Sequence, residues 1–277
     1  MSSIERKKVR VAVIDMNNGA PNQGMRGIQE ILRRYTLETG LDLSYDIFDL
    51  RYKGEIPSIE YDIFISSGGP GDPHEGEGEQ WDNDFCDLLD QIEHYNKEHL
   101  DKKYAFLICH SFQLACRKYR IGRVVRRKST SFGIFPVVLT NEGESDQIFE
   151  GLPNPFYAVD NRNWQVISPE DNQGTRKMAA VLAIEKERPH VNLERCLMAI
   201  RFSNEVIGTQ FHPEADPEGM KMHLMATEKR KAIIDNHGEQ KYNDMLVSLD
   251  DPQRIKLTQK VILPNFLNQA NNSLQEA

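Results

Sequence analysis

Phe106-Leu107-Ile108-Cys109-His110-Ser111-Phe112-Gln113 carries an apolar strand straight into a helix, with a cysteine at the junction. A thiol placed there sits at the carboxyl edge of a buried strand, where open α/β sheets bind ligands. The helix that follows aims free N–H groups and partial positive charge at the sulfur. Such a junction favours a thiolate and stabilises an oxyanion, with the His110 N–H as the first donor. Taken alone, a cysteine at a strand end is more often a packing residue, because free cysteine is among the most buried residue types. The rest of the chain decides between the two readings.

Upstream of the junction, strands and helices alternate. Residues 9–16 form a continuous apolar run, the pattern of a strand buried on both faces. A turn rich in glycine, proline and asparagine follows over 17–24, and then Met25, Ile28, Ile31 and Leu32 recur at helical spacing. Residues 43–50 and 61–66 read as two further strands, 81–97 as a helix and 104–108 as a fourth strand. This alternation implies a parallel sheet with helices on both faces. Past Gly122 the pieces become short and strand-like, over 134–139, 156–159, 178–184, 196–202 and 206–211, which is the look of a mixed sheet with an antiparallel extension. From about Pro217 the chain turns helical and polar, over 218–237, 239–249 and 252–268, with residues 271–277 expected to fray. The expected fold class is therefore α/β, with a main unit over 1–216 and a helical C-terminal extension over 217–277 packed on it.

Composition narrows the function. The chain has 277 residues, a formal net charge of −8, 39% apolar and 27% charged residues. The sequence pI near 5.6 argues against nucleic acid as the main partner, since phosphate binding needs a basic face. The mean hydropathy is −0.57, and no apolar run reaches the roughly 20 residues that span a bilayer. No signal-peptide core follows the charged N-terminus. Cys86, Cys109, Cys116 and Cys196 match neither a zinc site nor a CxxC redox pair. They read as reduced thiols of a cytoplasmic protein, three of them packing residues and one chemical. No metal and no cofactor is called for.

A base for the thiol lies far downstream. Val206-Ile207-Gly208-Thr209-Gln210-Phe211-His212-Pro213-Glu214 is an apolar strand ending in His-Pro-Glu. Alternate residues of an extended segment face the same way, so His212 and Glu214 project together. Pro213 fixes its own φ and pushes His212 toward an extended conformation. A carboxylate holding one imidazole nitrogen while the other faces a thiol is the base-and-orienter arrangement of a catalytic triad. Metal binding by this pair is the weaker alternative, since no further ligands lie at suitable spacing. A third piece, Ser66-Ser67-Gly68-Gly69-Pro70-Gly71-Asp72-Pro73, places three glycines after a strand, which lets backbone N–H groups approach a ligand. It is no P-loop, because no Gly-Lys-Ser/Thr follows.

The three pieces, in this order, resemble the class I glutamine amidotransferases, with their Gly-Gly-Pro-Gly loop, Gly-Ile-Cys-x-Gly-x-Gln elbow and Gln-Phe-His-Pro-Glu segment. The resemblance covers roughly residues 9–216 and is closest to the glutaminase domain of GMP synthase. It implies a flavodoxin-like, mixed and mostly parallel sheet. It also implies that Cys109 is the nucleophile, His212 the general base and acid, and Glu214 its orienter. By the same resemblance Gly69 supplies the second oxyanion N–H, Gly68 and Gln113 lie against the substrate, and Phe132-Gly133 matches a substrate-proximal motif. The implied substrate is glutamine or a related amide, with ammonia passed to a separate synthetase.

The departures are equally specific. Leu107 and Ser111 replace both elbow glycines, and Asn161-Arg162 stands where the family has a Ser-His pair holding the glutamine backbone. The elbow and the asparagine-rich loop 17–24 also resemble homoserine O-acyltransferases, which share the fold and a Cys/His/Glu triad. Acyl transfer, γ-glutamyl hydrolysis and a non-catalytic binding role therefore stand as alternatives. Facing the pocket, Arg162 would suit a substrate with an extra anionic group; facing solvent, it would leave the loop's backbone to hold glutamine. The basic stretch over 117–128 reads as a solvated face, with a dock for an anionic cofactor or acidic partner as the functional alternative. Trp164 reads as a packing residue, with a wall of the pocket as the alternative. The C-terminal helices offer a cap, a homodimer surface or a partner surface.

Overall fold

The computed structural model describes residues 8–168, 179–190, 192–251 and 253–276. Its strands are β1 (Val9–Asp15), β2 (Leu43–Asp49), β3 (Ile63–Ser66), β4 (Tyr104–Ile108), β5 (Arg123–Leu139), β6 (Phe156–Ile167), β7 (Ala180–Glu185), β8 (Leu197–Arg201) and β9 (Val206–Thr209). They form one nine-stranded sheet in the order β2-β1-β3-β4-β9-β8-β7-β5-β6. From β2 to β9 the pairs are parallel. From β9 to β6 they are antiparallel. The fold is the expected α/β one, with β4 and β9 at the centre. Cys109 and His212 follow these two neighbouring strands.

The alternation of side chains along β4 shows how the sheet is covered on both faces. Phe106 and Ile108 pack with Ile28, Ile31 and Leu32 of α1 (Gln23–Thr39) and with Ile262, Leu263 and Phe266 near the C-terminus. Ala105 and Leu107 pack on the other face, among Phe85, Leu88 and Leu89 of α3 (Gln80–Glu98) and Phe112 and Leu114 of α4 (His110–Tyr119). Between these, α2 (Leu50–Lys53) is a single turn directly after β2, and α5 (Asn141–Glu144) is another after β5. The Asn22 side chain caps α1 by accepting from the Met25 N–H at 3.0 Å. Gly40 closes that helix at φ 63°, a left-handed cap that glycine adopts at no steric cost.

After β9 come α6 (Pro217–Met225), α7 (Thr227–His237), α8 (Glu239–Asp250) and α9 (Ile255–Glu276). Met220, Leu224, Tyr242 and Met245 bury against Val159, with Phe132 and Ile134 of the β5–β6 pair alongside. The last helix belongs to the central core. Its Ala270 and Leu274 are buried, so the chain does not fray over 271–276 as expected.

Two expected strands are much longer than their apolar cores. Residues 134–139 are only the end of the 17-residue β5, and 156–159 only the start of β6. The two pair over almost their whole length, so Phe132 lies opposite Asn161, Gly133 opposite Asp160 and Ser131 opposite Arg162. Met178, the expected start of the next strand, lies outside the described residues. No described helix is long and apolar enough to cross a membrane.

Candidate active site

The β4–α4 junction is tight. Cys109 has φ 49° and ψ −95°, an unusual backbone for a residue with a Cβ, and its N–H donates to the Thr209 carbonyl of β9 at 2.7 Å. This pins the thiol beside the strand that leads to His212. At the end of that strand the His212 N–H donates to the Val159 carbonyl at 2.9 Å. Glu214 Oε1 lies 2.8 Å from His212 Nδ1. The Cys109 side chain also acts on the His212 ring. Burial pulls the imidazolium down, but the Glu214 carboxylate and the Cys109 sulfur outweigh it and hold the His212 pKa well above the usual value. A cysteine, a histidine and a buried glutamate thus stand in series.

The glycine loop after β3 closes over this series. A Cβ on Gly68 would lie 2.8 Å from His212 Cε1 and 3.3 Å from Cys109 Cβ, so only glycine fits without displacing the pair. A Cβ on Gly69 would lie 2.1 Å from the Met16 carbonyl. Three side chains hold the loop. Ser67 Oγ accepts from the Met16 N–H at 3.0 Å. The Ser111 hydroxyl donates to the Ser67 carbonyl at 2.7 Å and lies 2.7 Å from Ser66 Oγ. Arg51, on α2, donates to the Met16 carbonyl at 3.1 Å, to the Pro70 carbonyl at 2.6 Å and to Glu75 at 3.1 Å, and its guanidinium lies over the Trp81 ring.

A cavity of about 500 Å³ opens at the cysteine. Of the residues singled out in the sequence, Gly68, Gly69, Cys109, Gln113, Phe132, Asn161, Trp164, His212 and Glu214 line it. Trp164 is thus a wall of the cavity as well as a packing residue, edge-on to His74. The loop 17–24 forms another side through Asn17, Ala20, Pro21, Asn22, Gln23 and Gly24, joined by Arg26, which is ion-paired with Asp216. Gly133 and His110 do not line the cavity. Gly133 packs on the Phe135 ring at a φ of 145°. The His110 ring is buried beside Trp81, and burial, with Arg51 and Arg117, pulls its pKa down to about 3.

Arg162 touches the cavity, yet its guanidinium is spent elsewhere, which corrects both placements expected for it. Nε donates to Asp160 at 2.7 Å, Nη1 to the Trp164 carbonyl at 3.3 Å and Nη2 to the Cys196 sulfur at 3.0 Å, with Glu185 at 3.7 Å. Burial opposes its charge, but Asp160, Cys196 and Glu185 outweigh burial and raise its pKa. On β6 it alternates with Asn161 and Asn163, which are exposed. Residue parity along the strand decides this: Asn161 faces the cavity and Arg162 the interior. The basic stretch is likewise mostly committed. Arg117 pairs with Asp82, Lys118 with Asp90, Arg123 with Glu194 and Arg127 with Glu185, four of the stretch's seven basic residues.

Arg51, Ser111 as a loop tie, and Gln210 were not singled out as site residues. Gln210 stood inside the quoted segment and is fully buried beside Cys109. Arg51 follows an ordinary strand and carries no sequence signal. Among the described residues, no three or more His, Cys, Asp or Glu side chains stand together as metal ligands.

A model of the family "Glutamine amidotransferase class-I" matches residues 25–232. No curated protein sequence matches the chain significantly. Among solved structures, a glutamine amidotransferase from Thermotoga maritima is similar at 18% identity and TM-score 0.70, covering 96% of this chain and 99% of its own. One from Methylobacillus flagellatus is similar at 12% identity and TM-score 0.64, covering 97% and 96%. The glutaminase domain of Trypanosoma brucei CTPS, solved with bound acivicin, is similar at 14% identity and TM-score 0.55, covering 75% and 86%. At these identities the likenesses concern the fold.

Proposed function

Because the chain belongs to the class I glutamine amidotransferase family, we propose that it hydrolyses a carboxamide, glutamine foremost, through a thioester on Cys109. The observation that carries this reading is the series Cys109–His212–Glu214, with 2.8 Å between His212 Nδ1 and Glu214 Oε1. The Cys109 thiolate attacks the amide carbon and forms a tetrahedral oxyanion, which the N–H groups of Gly69 and His110 receive. The His212 imidazolium gives its proton to the leaving nitrogen, the C–N bond breaks, and ammonia departs from a γ-acyl thioester. His212, now neutral, takes a proton from water. The hydroxide adds to the thioester and the C–S bond breaks, restoring the thiolate and giving the carboxylic acid, whose proton passes to solvent or to the released ammonia. Glu214 keeps the ring oriented and offsets its charge throughout.

Gln113, Asn161 and Phe132 form the wall that receives the rest of the substrate, close to Gly68. The ammonia goes to a synthetase on a separate chain in the cytoplasm. The likeness of motifs to the GMP synthase glutaminase domain makes a nucleotide-amidating synthetase the acceptor to look for first. Residues 1–216 carry the catalytic residues, and 217–277 form a helical extension whose last helix packs into the same core.

The test is ammonia release from glutamine and other carboxamides, run beside acyl-coenzyme A consumption with homoserine, for the wild type and Cys109→Ser. The reading requires ammonia release that Cys109→Ser abolishes. Acyl transfer without ammonia release would replace it with the acyltransferase alternative.

A further inference from the structure

Gln210 stands between the end of β9 and His212, and its side chain is fully buried. Its Nε2 lies 3.7 Å from the Cys109 sulfur, within reach of a hydrogen bond to sulfur. Which end of this amide faces the sulfur is settled by its neighbours. The Trp164 backbone carbonyl can only accept, and Gln113 Nε2 donates to it at 3.2 Å. The second hydrogen on the same nitrogen goes to Gln210 Oε1 at 3.1 Å. With its oxygen engaged as acceptor, Gln210 presents its amide hydrogens to Cys109. A fixed backbone carbonyl on β6 thus sets the polarity of a relay that ends at the sulfur.

We propose that Gln210 is a catalytic residue whose amide N–H donates to the Cys109 sulfur, favouring the thiolate and fixing its position beside His212. A donor aimed at the charged form of a titrating group stabilises that form, and a thiolate gains more from it than a thiol does. The relay also runs through Gln113, which lines the substrate wall, so the group that meets the substrate and the group that steadies the sulfur share one hydrogen-bond chain. This inference rests on the reading of Cys109 as the nucleophile.

The experiment measures the rate of Cys109 alkylation by iodoacetamide against pH, resolved site by site with peptide mass spectrometry. It uses the full chain as wild type, Gln210→Leu and Gln210→Glu, with ammonia release from glutamine measured in parallel. In Gln210→Leu the alkylation midpoint rises by about one pH unit, a tenfold loss of thiolate below it. Its kcat falls about tenfold with KM nearly unchanged, as expected for a group that touches the reacting atom. In Gln210→Glu the midpoint rises further, because a carboxylate repels the thiolate. A buried residue that merely packs would leave both midpoints in place. Unchanged midpoints in a variant with a wild-type thermal melt overturn the proposal, and the near-isosteric Gln210→Glu carries the test if Gln210→Leu does not fold. Alkylation of other thiols ahead of Cys109 in the wild type strikes the nucleophile reading itself, and the role of Gln210 with it.

Discussion

The Ser111 hydroxyl reaches across the base of the site to donate to the Ser67 carbonyl at 2.7 Å. Ser111 stands where the family has an elbow glycine, so the departure supplies a tie that glycine lacks. It joins the first turn of α4 to the loop that carries Gly68 and Gly69. In Ser111→Ala the Ser66 hydroxyl and Ser67 carbonyl lose that buried partner, at a cost of about 1–3 kcal/mol. Urea unfolding should show that loss, and kcat should fall several-fold as the loop loosens. Unchanged stability and kcat would remove the tie from the account.

Gly68→Ala tests how closely the loop is fitted. The new methyl would meet His212 Cε1 at 2.8 Å, so either the ring or the loop must move. Because a displacement of about 1 Å at a reacting group costs roughly a hundredfold, kcat should drop by about that factor. The variant should still fold, since the clash is with a side chain at the edge of a cavity. Activity within twofold of wild type would show that the loop has room to shift.

His110 should make the protein acid-sensitive. Its pKa is held at about 3 in the folded chain and returns to about 6.5 on unfolding. Below pH 6.5 only the unfolded chain takes up that proton, so folding stability falls as pH drops. His212 acts in the other window. Its pKa is raised in the folded state, so its contribution is complete below about pH 6.5 and is lost as pH rises through the folded value. From pH 6.5 to 5 the loss from His110 is on the order of 2 kcal/mol, at about 1.4 kcal/mol per pH unit. His110→Phe should flatten that part of the stability profile in urea titrations. A parallel acid decline in variant and wild type would refute the assignment.

Glu214→Gln should retain more activity than His212→Ala. In the proposed cycle the glutamate orients and offsets charge, whereas the histidine moves every proton. Glu214 is buried, so the glutamine substitution keeps shape, removes the charge and turns one of two acceptor oxygens into a donor. Both variants should lose at least about a hundredfold in kcat. The reverse order would mean that the two side chains are not a base and its orienter.

The chemistry-bearing junctions were legible because each is fixed by local rules. An apolar run ending in Cys109 sets the elbow. His212 does stand beside Glu214, but through a turn past the end of β9, in which the Ala215 N–H donates to the His212 carbonyl at 3.4 Å, and not through strand parity. The β5–β6 pair was not legible, because the first half of β5 is a basic, largely exposed strand with none of the apolar alternation that marks a half-buried one. Its partner β6 is polar over 160–163 although Asp160 and Arg162 are buried there as an ion pair, so its burial does not show in apolar alternation. That hid the facing of Phe132 and Asn161, two residues found separately by likeness. Arg162 turned inward because Asp160 and Glu185, the latter far along the chain, assemble a buried acidic site for it. The tail stayed helical because Leu274 has a core to enter, which polar composition does not reveal.

The most direct test is to treat the protein with 6-diazo-5-oxo-norleucine, a glutamine analogue with an electrophilic carbon, and map the adduct by peptide mass spectrometry. The account predicts one adduct per chain, on Cys109, formed in step with the loss of ammonia release and slowed strongly in His212→Ala. An adduct on Cys86, Cys116 or Cys196, or ammonia release that survives full modification of Cys109, would contradict it.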